Sequence, residues 1–356
     1  ALLMFSDLVI KSYKKKYTVK YVDTISGETL QPLSNEFLVI DENINNLYPH
    51  IRECFDENKT YIFRAGESNK TLKFCTQLLN FLVEKNFKRN NKIVAIGGGI
   101  TQDIVGFTSS IMYRGVDWVF FPTTLLAQAD SCIGSKTSIN FNGAKNLIGT
   151  FHPPLEVFCC VEFLHTLPQK DIKSGIGEVL HYYLIDDYNK AIDMMSKYDD
   201  IIKGDFSLMK KHIKQSLEIK KKIIEVDEFD DGIRKIFNYG HTFGHAIEGL
   251  TNYEICHGQA VTLGADLANY ISYRLGYIDE SLFIKMHNII KKNIPEYVIK
   301  DSDIDKYVQL LMRDKKNINK SIGCILLKKE NKAEITYIDD IDKLKFLIKE
   351  YFKYEN

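Results

Sequence analysis

KIVAIGGGITQDIVGF, residues 92–107, passes from the short apolar run 93–96 through three consecutive glycines into a segment that can begin a helix. A strand ending in glycines before a helix N-terminus lets backbone N–H groups approach a pyrophosphate without side-chain obstruction. The pattern is G-G-G-x-x-x-D and not the G-x-G-x-x-G fingerprint, so by itself it serves a plain tight turn equally well. Working outward, EFLVI (36–40) ends at Asp41 and TYIFR (60–64) follows an amphipathic stretch. A helix pattern through Leu78 and Leu82 then leads back to residue 92. Short apolar runs alternating with helical periods predict a mostly parallel sheet with helical crossovers.

From about Pro168 the texture changes to long segments of helical period with charged faces, at 171–185, 208–226 and 241–250. The expected architecture is an α/β domain over residues 1–165 followed by an all-α domain over 166–356. CILL (324–327) and AEITY (333–337) form a small hairpin in this reading. The 356 residues, 45% of them hydrophobic, suffice for two cores. Forty-seven basic side chains against forty-seven acidic ones provide no global field for nucleic acid or an anionic membrane, so any bound anion must be caught by local geometry. Seven scattered cysteines without a C-x-x-C pair point to a reducing, cytoplasmic setting. No apolar run approaches the roughly 18 residues of a membrane span, and the opening ALLMFSDLVIKSYKKK places its charges after a short apolar stretch, so neither leader nor anchor is expected.

Two constellations carry chemistry. Gly134-Ser135-Lys136-Thr137 superficially suggests a P-loop, but Ser135 stands where its second glycine belongs, which excludes that reading. What remains is a polar cluster of Asp130, Lys136, Asn140, Lys145 and Asn146 in a stretch that also holds Thr123, Thr124 and Gly149. It suits a phosphorylated, hydroxylated small molecule, with a solvated loop of mixed charge as the plain alternative. Farther on, His241 and His245 lie four apart on one helix face, with His257 twelve residues beyond. The spacing alone selects His241 and His245 as a metal pair, though the same pattern occurs in ordinary helices. Several carboxylates could complete such a pair. Glu178, in an otherwise apolar helical stretch, needs a partner if buried, and a cation is one.

Taken together, AGESNKT (65–71), GGGITQDIVGF (97–107), YRG (113–115), PTTLLAQADSCIGSKTSIN (122–140), GAKNLIGTFHPP (143–154), GIGEV (175–179), the run from Lys220 to Glu248, HG (257–258) and RDKK (313–316) resemble the sugar-phosphate cyclases, and within them the 3-dehydroquinate synthases. The resemblance implies a homodimer with an NAD-binding domain, a helical metal domain and an active site in the cleft between them. It implies Glu178, His241 and His257 as ligands of a divalent metal, usually zinc, with cobalt as another possibility, and assigns His245 to the substrate phosphate. Asp41, Asn43, Glu67, Lys70, Gly97, Gly98, Gly99, Asp103, Thr123 and Thr124 would contact NAD, with Asp130, Lys136 and Lys145 near it. Lys136, Asn146, His245 and one of Lys315 and Lys316 would surround the phosphate, joined by Arg114 from a partner subunit. Lys220, Arg234 and Asn238 would hold a carboxylate and ring oxygens.

The activity implied turns 3-deoxy-arabino-heptulosonate 7-phosphate into 3-dehydroquinate, a step toward aromatic amino acids. It proceeds by transient oxidation with NAD, loss of phosphate, re-reduction and an intramolecular aldol, so NAD is regenerated. Two residues depart from the family pattern. His181 stands where a lysine is usual three positions after the metal-binding glutamate, and Ser135 where a second glycine is usual. A sister cyclase making 2-deoxy-scyllo-inosose or a valiolone is therefore the alternative, with metal-dependent alcohol or glycerol dehydrogenases of the same architecture and a catalytically inactive relative behind it. Lys220 and Arg234 favour the carboxylate-bearing substrate, since two converging cations call for an anion.

Overall fold

In the computed structural model, which describes residues 6–314 and 317–354, the apolar run of residues 93–96 lies in a central strand of a seven-stranded sheet. The strands are β1 (Leu8–Lys11), β2 (Lys16–Val22), β3 (Phe37–Asp41), β4 (Thr60–Phe63), β5 (Ile93–Gly97), β6 (Trp118–Pro122) and, after a separate hairpin of β7 (Lys136–Phe141) with β8 (Ala144–Phe151), β9 (Glu156–Cys160). Their order is β1-β2-β9-β6-β5-β3-β4, parallel throughout except for the β1–β2 pair. β5 and β6 are buried at every position, as expected of strands covered on both faces.

Alternation along the strands sorts the two faces. Leu38, Ile40, Val94, Ile96, Val119 and Phe121 pack against Ile44, Ile51, Phe55 and Phe163, so the short helices Glu42–Leu47 and Pro49–Glu53 cover that side. On the other side Phe37 meets Phe81 of the Leu72–Glu84 helix, and Gly106 of the Gly99–Ile111 helix sits close to the Trp118 ring. The chain therefore leaves β3 toward one face and neighbouring β5 toward the other. This is a topological switch point, and open parallel sheets bind ligands at the carboxyl ends of such strands. Asp41 and Gly97 are those ends.

The chain forms two compact units, one of residues 1–167 with 206–229 and one of residues 168–205 with 230–356. The helix Met209–Ile224, read from sequence as part of the second domain, thus departs from the expected 166–356 division. Its inward stripe of Met209, Ile213, Ser216, Leu217 and Lys220 belongs with the first unit, where Ser216 Oγ donates to Ala129 O at 2.8 Å and Lys220 reaches Asp130. Among its described residues the second unit is helical apart from the hairpin of β10 (Ile322–Lys329) and β11 (Lys332–Ile338), which the sequence signals. At its centre lies the helix His257–Arg274, buried along nearly its whole length.

Close backbone approach sets this packing. A Cβ on Gly177, in the helix Gln169–Asp186, would lie 1.9 Å from Gly258 O, and one on Gly258 would lie 1.7 Å from Ser174 O. Only glycines allow that crossing.

In the first unit, buried His152 joins three segments. Its Nε2 meets Val116 O at 2.8 Å, its Nδ1 lies 2.9 Å from Lys14 Nζ, and its backbone N–H donates to Ser135 O. Burial, opposed by the Val116 hydrogen bond and reinforced by Lys14 and Lys15, holds its pKa below the ordinary value. The neutral ring is thus favoured by the fold, and its contribution is complete above the unfolded pKa of about 6.5 and is lost as pH falls through the folded value. The urea midpoint of the wild type should accordingly drop between about pH 7.5 and about pH 5.5 more than that of His152→Gln. Parallel curves for the two proteins would show that this ring does not sense pH.

Candidate active site

The second unit carries the densest set of ligand-type side chains. Glu178, mid-helix in Gln169–Asp186, is 1% exposed. Its Oε1 lies 2.8 Å from His257 Nε2 and 3.2 Å from His241 Nε2. Neither approach has the alignment of a hydrogen bond, and among the described residues Oε1 has no hydrogen-bond partner. The local sequence explains the meeting. Glu178 follows Gly177 and His257 precedes Gly258, so the glycine crossing brings the two ligand-type residues together. His241 opens the helix His241–Leu250 immediately after Gly240, whose φ of +76° gives the left-handed turn into that helix. On the far side of His257, Nδ1 is 3.0 Å from Glu248 Oε2, a carboxylate positioned to orient the ring. Glu248 was not among the expected site residues. The signal for it is its place seven residues after His241, two turns along the same helix face.

Burial disfavours charge on Glu178, but His241 and His181 overcome it and hold its carboxyl well below the usual carboxylate range. Burial likewise works against a proton on His257, yet the carboxylates of Glu178 and Glu248 raise its pKa well above the ordinary histidine value. A proton here answers a buried negative charge that a cation would answer equally well. One buried carboxylate oxygen with no aligned donor, faced by two imidazole nitrogens, fits a divalent metal that takes nitrogen and oxygen ligands. His245, exposed one turn after His241, has its ring 5.4 Å from that of His241 and 5.5 Å from that of His257. The pair chosen by spacing alone thus stands beside the glutamate-centred set, with His241 common to both. Arg234 is buried in the turn Ile233–Asn238, while Asn238 Nδ2 donates to Lys235 O.

The first unit holds the anion-type residues. Gly98 precedes the Gly99–Ile111 helix, and Thr123 N–H donates to Gly97 O at 3.0 Å, pinning the turn after β5 to the end of β6. Thr124 Oγ1 accepts from Ala127 N–H. Asp41 Oδ1 accepts from Asn43 N–H at 2.7 Å, capping its short helix. A separate network gathers around Lys70, whose Nζ is 2.7 Å from Asp103 Oδ2 and 2.6 Å from Asn146 Oδ1. Ser138 donates to Asp103 from both N and Oγ, and Asn140 Nδ2 donates to Glu67 Oε1, with Lys145 4.0 Å from the same oxygen. Burial pushes the Asp103 carboxyl above its usual range despite Lys70.

Within the stretch read as a polar cluster suited to a phosphorylated molecule, with a solvated loop as the alternative, residues 136–151 form the β7–β8 hairpin, with Lys136 exposed at its start and Asn146 at φ +54°. Ser135, in the place of the second glycine, sits at φ +66°, a conformation that costs serine more than glycine, and its hydroxyl donates to Glu228. Asp130 lies on a single π-helical turn, closed by Cys132 N–H to Ala127 O, and its Oδ1 is 3.0 Å from Lys220 Nζ. The charge of Lys220 is thus already answered within the first unit. Arg114, at φ +64°, is exposed. Lys315 and Lys316 lie outside the described residues.

Together, the parallel sheet with its glycine turn and the glutamate–histidine centre define a class of enzymes. Over 97% of this chain the fold matches a solved 2-deoxy-scyllo-inosose synthase complexed with carbaglucose-6-phosphate, NAD+ and Co2+, covering all of that chain with a TM-score of 0.84 and 25% identity. The family models 3-dehydroquinate synthase N-terminal and 3-dehydroquinate synthase C-terminal match residues 60–174 and 175–317. A 3-dehydroquinate synthase of Thermoanaerobacter pseudethanolicus is 35% identical over 350 residues, 96% of this chain and 98% of the relative. One from Clostridium tetani is 37% identical over 305 residues, 85% and 82% of the two chains. The chain belongs to the 3-dehydroquinate synthase family.

Proposed function

We propose that this protein converts 3-deoxy-arabino-heptulosonate 7-phosphate to 3-dehydroquinate and phosphate, acting as a carbon–oxygen lyase that depends on NAD and a divalent metal. The observation that carries the reading is Glu178 Oε1, buried and unaligned between the nitrogens of His241 and His257, in a chain of this family. The relative that makes dehydroquinate is 35% identical nearly end to end, against 25% for the deoxy-inosose synthase, and this favours the carboxylate-bearing substrate. Bound NAD supplies a hydride acceptor and the cation a Lewis acid, and together these render a C–H bond next to the leaving phosphate acidic.

The residues of this chain do the holding. Asp41 and the Gly97–Gly99 turn, at the switch point and ahead of the Gly99–Ile111 helix, would hold the dinucleotide. Glu67, Lys70, Asp103, Thr123 and Thr124 complete that set. Lys136, Asn146 and His245 offset the charge of the phosphate as it departs, while Arg234, Asn238 and Lys220 orient the carboxylate and ring oxygens.

The test is phosphate release with NAD in catalytic amount, with and without chelator, on 3-deoxy-arabino-heptulosonate 7-phosphate, sedoheptulose 7-phosphate and glucose 6-phosphate. Chelator-sensitive turnover of the first is expected, and turnover confined to the two sugars without a carboxylate would overturn the reading. Arg234→Ala should raise KM for the heptulosonate by about 10- to 100-fold, the worth of a charge-assisted hydrogen bond, and leave NAD affinity unchanged. Equal damage to both would move Arg234 out of the substrate site.

A further inference from the structure

His181 shares a helix face with Glu178, three residues before it, and is 2% exposed. Its Nδ1 lies 2.6 Å from the carbonyl oxygen of Glu178 and 3.2 Å from Glu178 Oε2. A carbonyl oxygen only accepts, so Nδ1 carries the hydrogen, and a neutral ring held this way has a lone pair on Nε2. Among the described residues that Nε2 is buried without a hydrogen-bond partner. A buried acceptor left unanswered is destabilising. On its other sides the ring packs on Tyr182 and, farther off, Phe237, with centroids 4.1 Å and 6.5 Å away. The His241 ring stands edge-on at 4.9 Å, and Glu178, His181 and His241 offer ligand atoms that all lie within 4.8 Å of one another.

We propose that His181 is a further protein donor to the cation of the proposed centre, making it a set of three imidazoles and one carboxylate. The inference rests on the metal-dependent reading above. It also gives a chemical meaning to the departure at this position, since a lysine ammonium would repel a cation whereas a neutral imidazole binds one. Three imidazoles with a carboxylate suit zinc, iron(II) and cobalt(II) alike.

The test uses the full-length protein stripped of metal and titrated with Co2+, read by chelator competition and by visible absorption. His181→Asn keeps an N–H toward the Glu178 carbonyl and removes Nε2. Its Co2+ dissociation constant should rise by roughly 10- to 100-fold or more with an altered spectrum, and that of His181→Lys at least as much. An unchanged constant and spectrum in His181→Asn, while His241→Ala loses the metal, would overturn the inference and leave the metal reading standing. A wild type that takes up no Co2+ would instead defeat the metal reading itself. X-ray absorption of the Co2+-loaded wild type needs no variant. Three coordinated imidazoles are expected, and a count of two, with Nε2 left to a substrate hydroxyl, would refute the assignment.

Discussion

Glu178→Gln is expected to fold and to lose at least about 10³-fold in kcat/KM, with the loss of bound metal measured in parallel. The substitution changes no volume, so packing is spared. It removes the buried negative charge that His241 and His257 face and replaces it with an amide unable to answer a cation. Without that charge, the raised pKa of His257 should relax toward the ordinary range, since only Glu248 then remains to favour its proton. Metal content by mass spectrometry, NAD affinity and turnover separate the effects. A variant that kept its metal and a tenth of its activity would place the centre elsewhere.

Gly258→Ala should have the largest structural effect. Its Cβ would lie 1.7 Å from Ser174 O, a backbone atom that cannot swing aside as a side chain would. Overpacking in cores costs about 1–3 kcal/mol where side chains yield, and a backbone collision should meet or exceed the upper figure. Gly258 N–H also donates to Ser174 Oγ at 2.9 Å, so moving the helices apart breaks a buried hydrogen bond as well. The denaturant midpoint should fall markedly, and metal affinity should fall with it because Glu178 and His257 adjoin the crossing. Normal stability with normal metal binding would mean that the two helices are not held this tightly.

Much of this was readable in residue order. Local signals sufficed for the strand and glycines at 92–99, because apolar run and turn chemistry are adjacent in sequence, and the turn residues between 327 and 333 announce the small hairpin. The strands Trp118–Pro122 and Glu156–Cys160 are also apolar but do not stand out from their surroundings in sequence. β8 is mostly exposed on both faces, so it carries no alternation by which the hairpin could be recognised. An amphipathic stripe on Met209–Ile224 says that the helix is buried but not against what, and its place with the first unit depends on Ala129 and Asp130, far away in sequence. For the centre, the histidine spacing and the place of Glu178 in an apolar helical stretch are plain in sequence, but its meeting with His257 depends on a helix crossing that no local pattern encodes. His181 was visible only as a departure. That its Nε2 lacks a partner emerges from three-dimensional arrangement alone.

The family models meet at residues 174 and 175, yet the chain returns to its first unit for residues 206–229 before leaving it again. A single crossover at that seam between this gene and a relative's would give a chimera whose Asp130 faces a foreign Lys220 and whose Ser135 hydroxyl seeks a foreign Glu228. Exchange of the first unit as a working module therefore requires three junctions, which makes this chain poor material for simple domain shuffling.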